Sequence, residues 1–95
     1  MSGQKEWAFT NGHIPLDGAD ELSLLNTGSK DVEVEMTVHY TDRDPVGPYR
    51  VTVAAGRLRR IRVNDLIDPL PVPLATDYAL VIRAAGAIVA DFTKR

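Results

Sequence analysis

The chain has no cysteine, which excludes a disulfide framework and a thiolate metal site. Its two histidines, His13 and His39, are too few for most zinc sites. No apolar run approaches the roughly 20 residues that a membrane-spanning helix needs. Residues 1–7 carry no apolar h-region, so no secretory signal is read there, and the cytoplasm is the expected compartment. An excess of positive charge is missing as well. Lys and Arg number 11 against 13 Asp and Glu, for a net charge of −2. That balance argues against a nucleic-acid footprint, which needs a clustered positive field, and DNA binding is expected to be weak and salt-sensitive at most. Catalytic signatures are also lacking. There is neither a Gly-x-Ser-x-Gly elbow nor a Gly-rich phosphate loop before a helix, and Ser23 and Ser29 have no evident base. No enzymatic activity, cofactor or metal is expected.

What remains is a pattern of short strands. A chain of 95 residues makes one domain, residues 1–95. A domain this small buries only about 60–65% of its unfolded surface, so self-association would add burial. Val32, Val34, Met36, Val38 and Tyr40 are apolar at a period of two, with Asp31, Glu33, Glu35, Thr37 and His39 between them, as in a strand with one wet face. Residues 7–9, 21–25, 49–53, 58–63, 78–83 and 88–92 read as further strands. Turns are expected at Asn11-Gly12, at residues 17–20, 26–30 and 41–48, around Gly56, and at Ala84-Ala85-Gly86. Pro15 confines residues 13–15 to an edge or a loop. Pro69, Pro71 and Pro73 hold their segment extended. Short strands at near-regular spacing, with no helical period, predict an all-β fold, a small antiparallel β-sandwich.

If the three central strands are sequential neighbours, the apolar alternation places Tyr40 opposite Tyr49, Val38 opposite Val51, and Tyr49 opposite Val63. The wet face then carries His39, Arg50 and Arg62 in one row. Like charges directly opposed are unfavourable, so Arg50 beside Arg62 needs an anionic partner. Asp42, Asp44 or Asp65 can neutralise the pair from within the chain, with Glu33 or Glu35 assisting. Alternatively the arginines hold a ligand. Guanidinium forks match carboxylate and phosphate, Asp42, Asn64 and Asp65 can accept hydroxyls, and Trp7, Tyr40 and Tyr49 can supply an aromatic wall.

Several blocks carry a resemblance. Trp7-Ala8, Gly12-His13-Ile14-Pro15, Leu25-Asn26-Thr27-Gly28, the run from Tyr40 to Arg50 (Tyr-Thr-Asp-Arg-Asp-Pro-Val-Gly-Pro-Tyr-Arg) and the run from Arg62 to Pro69 (Arg-Val-Asn-Asp-Leu-Ile-Asp-Pro) resemble the sensory rhodopsin transducer family over nearly the whole chain. The resemblance implies a small soluble β-sandwich that assembles as a homotetramer. The family's namesake is a cytoplasmic partner of a membrane sensory rhodopsin and associates with DNA. Most relatives are implied to act without a rhodopsin, as binding domains for sugar-like small molecules. The residues that the resemblance carries over as ligand-binding candidates are Trp7, His13, Tyr40, Asp42, Pro45, Tyr49, Arg50, Arg62, Asn64 and Asp65. The function expected is a non-enzymatic module that binds a small polar or anionic metabolite. The alternative is a signalling partner of a sensory rhodopsin.

Overall fold

In a computed structural model describing residues 3–94, the alternating segments form six strands. These are β1 (Gln4–His13), β2 (Asp20–Leu25), β3 (Val32–Tyr40), β4 (Val46–Val53), β5 (Leu58–Arg62) and β6 (Asp77–Lys94), with a single 3-10 turn at Val63–Asp65 after β5. In β3, Val32, Val34, Met36 and Val38 are buried while Glu33, Glu35 and His39 stay exposed, so the period of two lays one face on the core. All the pairings are antiparallel, in the order β4-β3-β6-β2-β5, with β1 also paired to β6.

The 18-residue β6 joins the two faces of the sandwich. Its first part lies between β1 and β3, and its last part pairs with β2. The sheet thus curls over a single core that includes Leu22, Leu24, Val34, Met36, Leu80 and Ile82. The expected all-β sandwich is therefore the fold. Among the described residues no helix is long and apolar enough to cross a membrane.

Two expected pairings are corrected. β3 and β4 are neighbours, but Met36 pairs with Tyr49, Val34 with Val51 and Val32 with Val53. Relative to the expected register the ladder slides by an even number of residues, so the same side chains still face inward. The slide follows from an earlier start of β4, at Val46 opposite Val38, with a bulge beside Gly47 and Pro48. A bulge accommodates proline's missing donor. The second correction concerns β5, which pairs with β2 rather than β4, placing Glu21 opposite Arg62 and Leu22 opposite Ile61. The chain crosses between the two faces through residues 54–57, where Gly56 takes a φ of 66°. Arg50 and Arg62 therefore lie on different faces of the sandwich, and the row His39–Arg50–Arg62 does not form.

Two expected turns are strand instead. Gly12 stays in β1 and is buried, because a side chain there would collide with the Tyr78 ring, 2.3 Å from the Cβ position. Gly86 lies within β6, where a Cβ would come 3.1 Å from the Val32 side chain.

Candidate functional site

β4 and β5 are the terminal strands of the sheet and do not pair with each other. Between them opens a cleft of about 470 Å3, lined by Val51, Arg59, Arg60, Ile61, Arg62, Leu66, Glu21 and Asp65. A short edge strand with three arginines in four positions supplies its cationic side. The turn Val63–Asp65, closed by the Leu66 N–H donating to the Val63 carbonyl at 3.1 Å, brings Asp65 and Leu66 to one end. Arg59 spans the opening, its Nη1 donating to the Thr52 carbonyl at 2.8 Å. Three guanidiniums, two carboxylates and the aliphatic side chains of Val51, Ile61 and Leu66 make a surface suited to an anion with an apolar body. Among the described residues no cluster of three or more His, Asp or Glu is placed to hold a metal ion.

Of the ten candidates named from the sequence, Arg62 and Asp65 line this cleft. Asn64 lies between them in sequence, but its Nδ2 donates to the Gly18 carbonyl at 3.1 Å and its Oδ1 is enclosed without a partner. The other seven sit elsewhere. Arg50 is opposite Glu35 on the outer face, with Nε 3.2 Å from Oε1. That face carries the alternating row Arg50–Glu35–Arg83–Glu6 across β4, β3, β6 and β1, so Arg50 is neutralised within the chain.

Asp42 is held by Arg43, which lies 3.0 Å away and over the Tyr40 ring. The hydrogen bond from Arg43 keeps the Asp42 carboxyl below its ordinary range and raises Arg43 in turn. Burial pushes the Tyr40 hydroxyl up, and Arg43 partly opposes the shift. Pro45 is exposed in the loop before β4. Tyr49 is buried, and its hydroxyl donates to the Leu70 carbonyl. Trp7 donates to the Ile88 carbonyl at 3.2 Å and stacks with Phe9, which stacks in turn on Phe92. His13 pairs with Asp77 at 2.7 Å. The aromatic wall expected beside the arginines is therefore not assembled.

Sequence reasoning missed Arg59 and Arg60 as site residues, although the arginine density of residues 57–62 marks them. It also missed a buried polar centre. Asp20 is fully buried, yet its position is in phase with Leu22 and Leu24, where a charge signals an inward-facing carboxylate. Its Oδ2 accepts from the Tyr78 hydroxyl at 2.6 Å, the His13 N–H at 2.9 Å and Lys94 Nζ at 3.3 Å. Its Oδ1 lies 3.1 Å from Lys94 Nζ, within ion-pair range but outside hydrogen-bond geometry. Burial first, then the bond to Asp20, pushes the Tyr78 hydroxyl far above the ordinary tyrosine range. This centre ties β1, β2 and β6 together and faces the core rather than the cleft.

The model of the family described as Anabaena sensory rhodopsin transducer matches residues 2–95. The solved structure of the Anabaena sensory rhodopsin transducer is similar at 45% identity over 96% of each chain, with a TM-score of 0.91. The structure of Thermotoga maritima 1070 shares the fold, with a TM-score of 0.85 at 23% identity, covering 99% of this chain and 82% of that one. No curated protein matches the sequence. With the family pattern running from residue 2 to residue 95 and a transducer of nearly superimposable fold at 45% identity, the chain belongs to the Anabaena sensory rhodopsin transducer family.

Proposed function

We propose that the protein is a non-enzymatic signalling domain of the cytoplasm whose input is a small anionic molecule held between β4 and β5. The observation that carries this reading is the convergence of Arg59, Arg60 and Arg62 on one cleft opposite Val51 and Leu66. Guanidinium forks bind a carboxylate or phosphate through paired charge-assisted hydrogen bonds, Asp65 accepts hydroxyl or ammonium donors, and the aliphatic wall covers the rest of the ligand. One charge-assisted bond contributes about 1.5–3 kcal/mol. Arg62→Ala should therefore weaken binding roughly ten- to a hundredfold, by the tenfold per 1.4 kcal/mol rule. A thermal-shift screen of sugars, sugar acids and sugar phosphates on wild type and Arg62→Ala tests the reading. A compound that raises the melting temperature of wild type, and raises that of the variant much less, supports it. Compounds that act equally on both proteins count against it.

A second reading is favoured by the 45% identity to the Anabaena sensory rhodopsin transducer, namely that the chain docks on a sensory rhodopsin and carries its signal. Titration against a detergent-solubilised sensory rhodopsin checks this, with saturable binding expected and no heat of binding as the contrary result. In either case we propose a homotetramer, in which the exposed Leu16, Ile67, Leu70 and Leu74 offer apolar surface for burial, and DNA association no stronger than a weak, salt-sensitive contact.

A further inference from the structure

We infer that the ligand of this cleft is a short aliphatic peptide, recognised by strand pairing along the free edge of β5. The inference rests on the cleft reading above and adds the class of ligand. The backbone of β5 supplies the first reason. The Asn26 N–H donates to the Arg57 carbonyl at 3.0 Å, and the register runs unbroken from Leu25 opposite Leu58 to Glu21 opposite Arg62. In an antiparallel ladder bonded and non-bonded pairs alternate. Arg59 and Ile61 therefore turn their N–H and C=O groups toward β2, while Leu58, Arg60 and Arg62 turn theirs outward. β5 is the end of the sheet, so among the described residues no strand takes these outward groups, and Arg60 and Arg62 line the cleft.

The other edges are not equivalent. β4 carries Pro48 and a bulge, and β1 shifts register twice along β6, which are devices that blunt an edge. The β5 ladder has no shift. Its arginines discourage pairing with a like-charged edge and favour a strand that brings a carboxylate.

The order of charges gives direction. Along the chain Arg59, Arg60 and Arg62 precede Asp65 at the corner. A peptide lying antiparallel to β5 sets its C-terminal carboxylate within reach of the Arg60 and Arg62 guanidiniums, which share one face of the strand, and its N-terminal ammonium by Asp65. Its amide groups meet the outward N–H and C=O of Arg60 and Arg62, and its side chains meet Val51, Ile61 and Leu66. A cleft of about 470 Å3 falls within the common range for small ligands, about 300–1,000 Å3. At about 3.4 Å per residue the stretch from Arg60 to Arg62, which bears the outward groups, spans about 7 Å and suits a tripeptide. Two alternatives fit less well. None of Trp7, Tyr40 or Tyr49 lines the cleft, so a sugar ring has no platform to stack on, and Glu21 and Asp65 oppose a dianionic phosphate.

The test is calorimetric titration of the full chain with the tripeptide Val-Leu-Val, its C-terminal amide, its analogue N-methylated at the Leu–Val amide, whose N–H faces Arg60, gluconate and glucose 6-phosphate. Wild type, Arg60→Ala, Arg62→Ala and, as a control on the opposite face, Arg50→Ala are compared, each checked for an unchanged far-ultraviolet spectrum. The inference expects Val-Leu-Val to bind. It expects amidation, N-methylation of the Leu–Val amide, Arg60→Ala and Arg62→Ala each to weaken binding tenfold or more, and Arg50→Ala to leave it unchanged. If gluconate or glucose 6-phosphate binds with dependence on Arg62 and the peptide does not, the peptide class is overturned while the cleft stands. Equal affinity for the N-methylated analogue overturns strand pairing. If no compound shows dependence on Arg60 or Arg62, the cleft reading and this inference both fall.

Discussion

Removing the Asp20 carboxylate leaves the Tyr78 hydroxyl and the His13 backbone N–H without their acceptor, and takes its counter-ion from Lys94, which still donates to the Asn11 and His13 carbonyls. Tyr78 is 3% exposed and cannot turn to water, whereas Lys94 can. Asp20→Ala is therefore expected to cost about 2–4 kcal/mol, below the full cost of orphaning a buried charge. Urea unfolding measures it, and a loss under 0.5 kcal/mol would remove the centre from the account. Tyr78 also sets an alkaline limit. Its ionisation is raised in the folded state, so its contribution is complete below the ordinary tyrosine value, near 10. Above that pH the unfolded chain loses the proton and the folded chain keeps it. Stability then falls by up to about 1.4 kcal/mol per pH unit for this one group. Tyr78→Phe should show a shallower decline between pH 10 and 11 than wild type, and parallel declines would contradict the assignment.

At the scale of elements, the alternating-charge row across β4, β3, β6 and β1 predicts a small effect. The Arg50–Glu35 pair is exposed, at 69% and 52%, and such pairs contribute about 0.2–1 kcal/mol. Arg50→Ala should cost less than 1 kcal/mol in denaturant unfolding, and a larger loss would mean that Arg50 holds something besides Glu35. A stronger effect is expected at Gly12, where any Cβ meets the Tyr78 ring. Gly12→Ala should destabilise by about 1–3 kcal/mol through overpacking, read as a lower melting temperature.

β3 was fully legible in the sequence, with both ends set by its alternation, and β2 and β5 were legible to within a residue. Alternation fixes the face of a side chain but not which strand lies beside it, so the partner of β5 was hidden. β6 was broken in two because Ala84-Ala85-Gly86 has turn composition. The small residue at 86 instead serves close packing on Val32, which no local pattern records. The candidate site was legible only in part for the same reason. Arg62 and Asp65 follow from the chain itself, whereas joining Arg50, Asp42 and Trp7 to them needed strand neighbours that the fold does not use.

For the whole molecule, the curled sheet leaves a charged cleft where its two terminal strands pass without pairing, and the account of function depends on that cleft. Residue-resolved amide shifts in a two-dimensional 1H–15N spectrum, recorded while a ligand found in the screens is titrated, test this most directly. The account predicts that shifts concentrate at residues 59–66 and at Val51, disappear in Arg62→Ala, and spare the row at Glu6, Glu35, Arg50 and Arg83. Shifts centred on Trp7 and Val81, or on the outer row, with residues 59–66 unmoved, would contradict it.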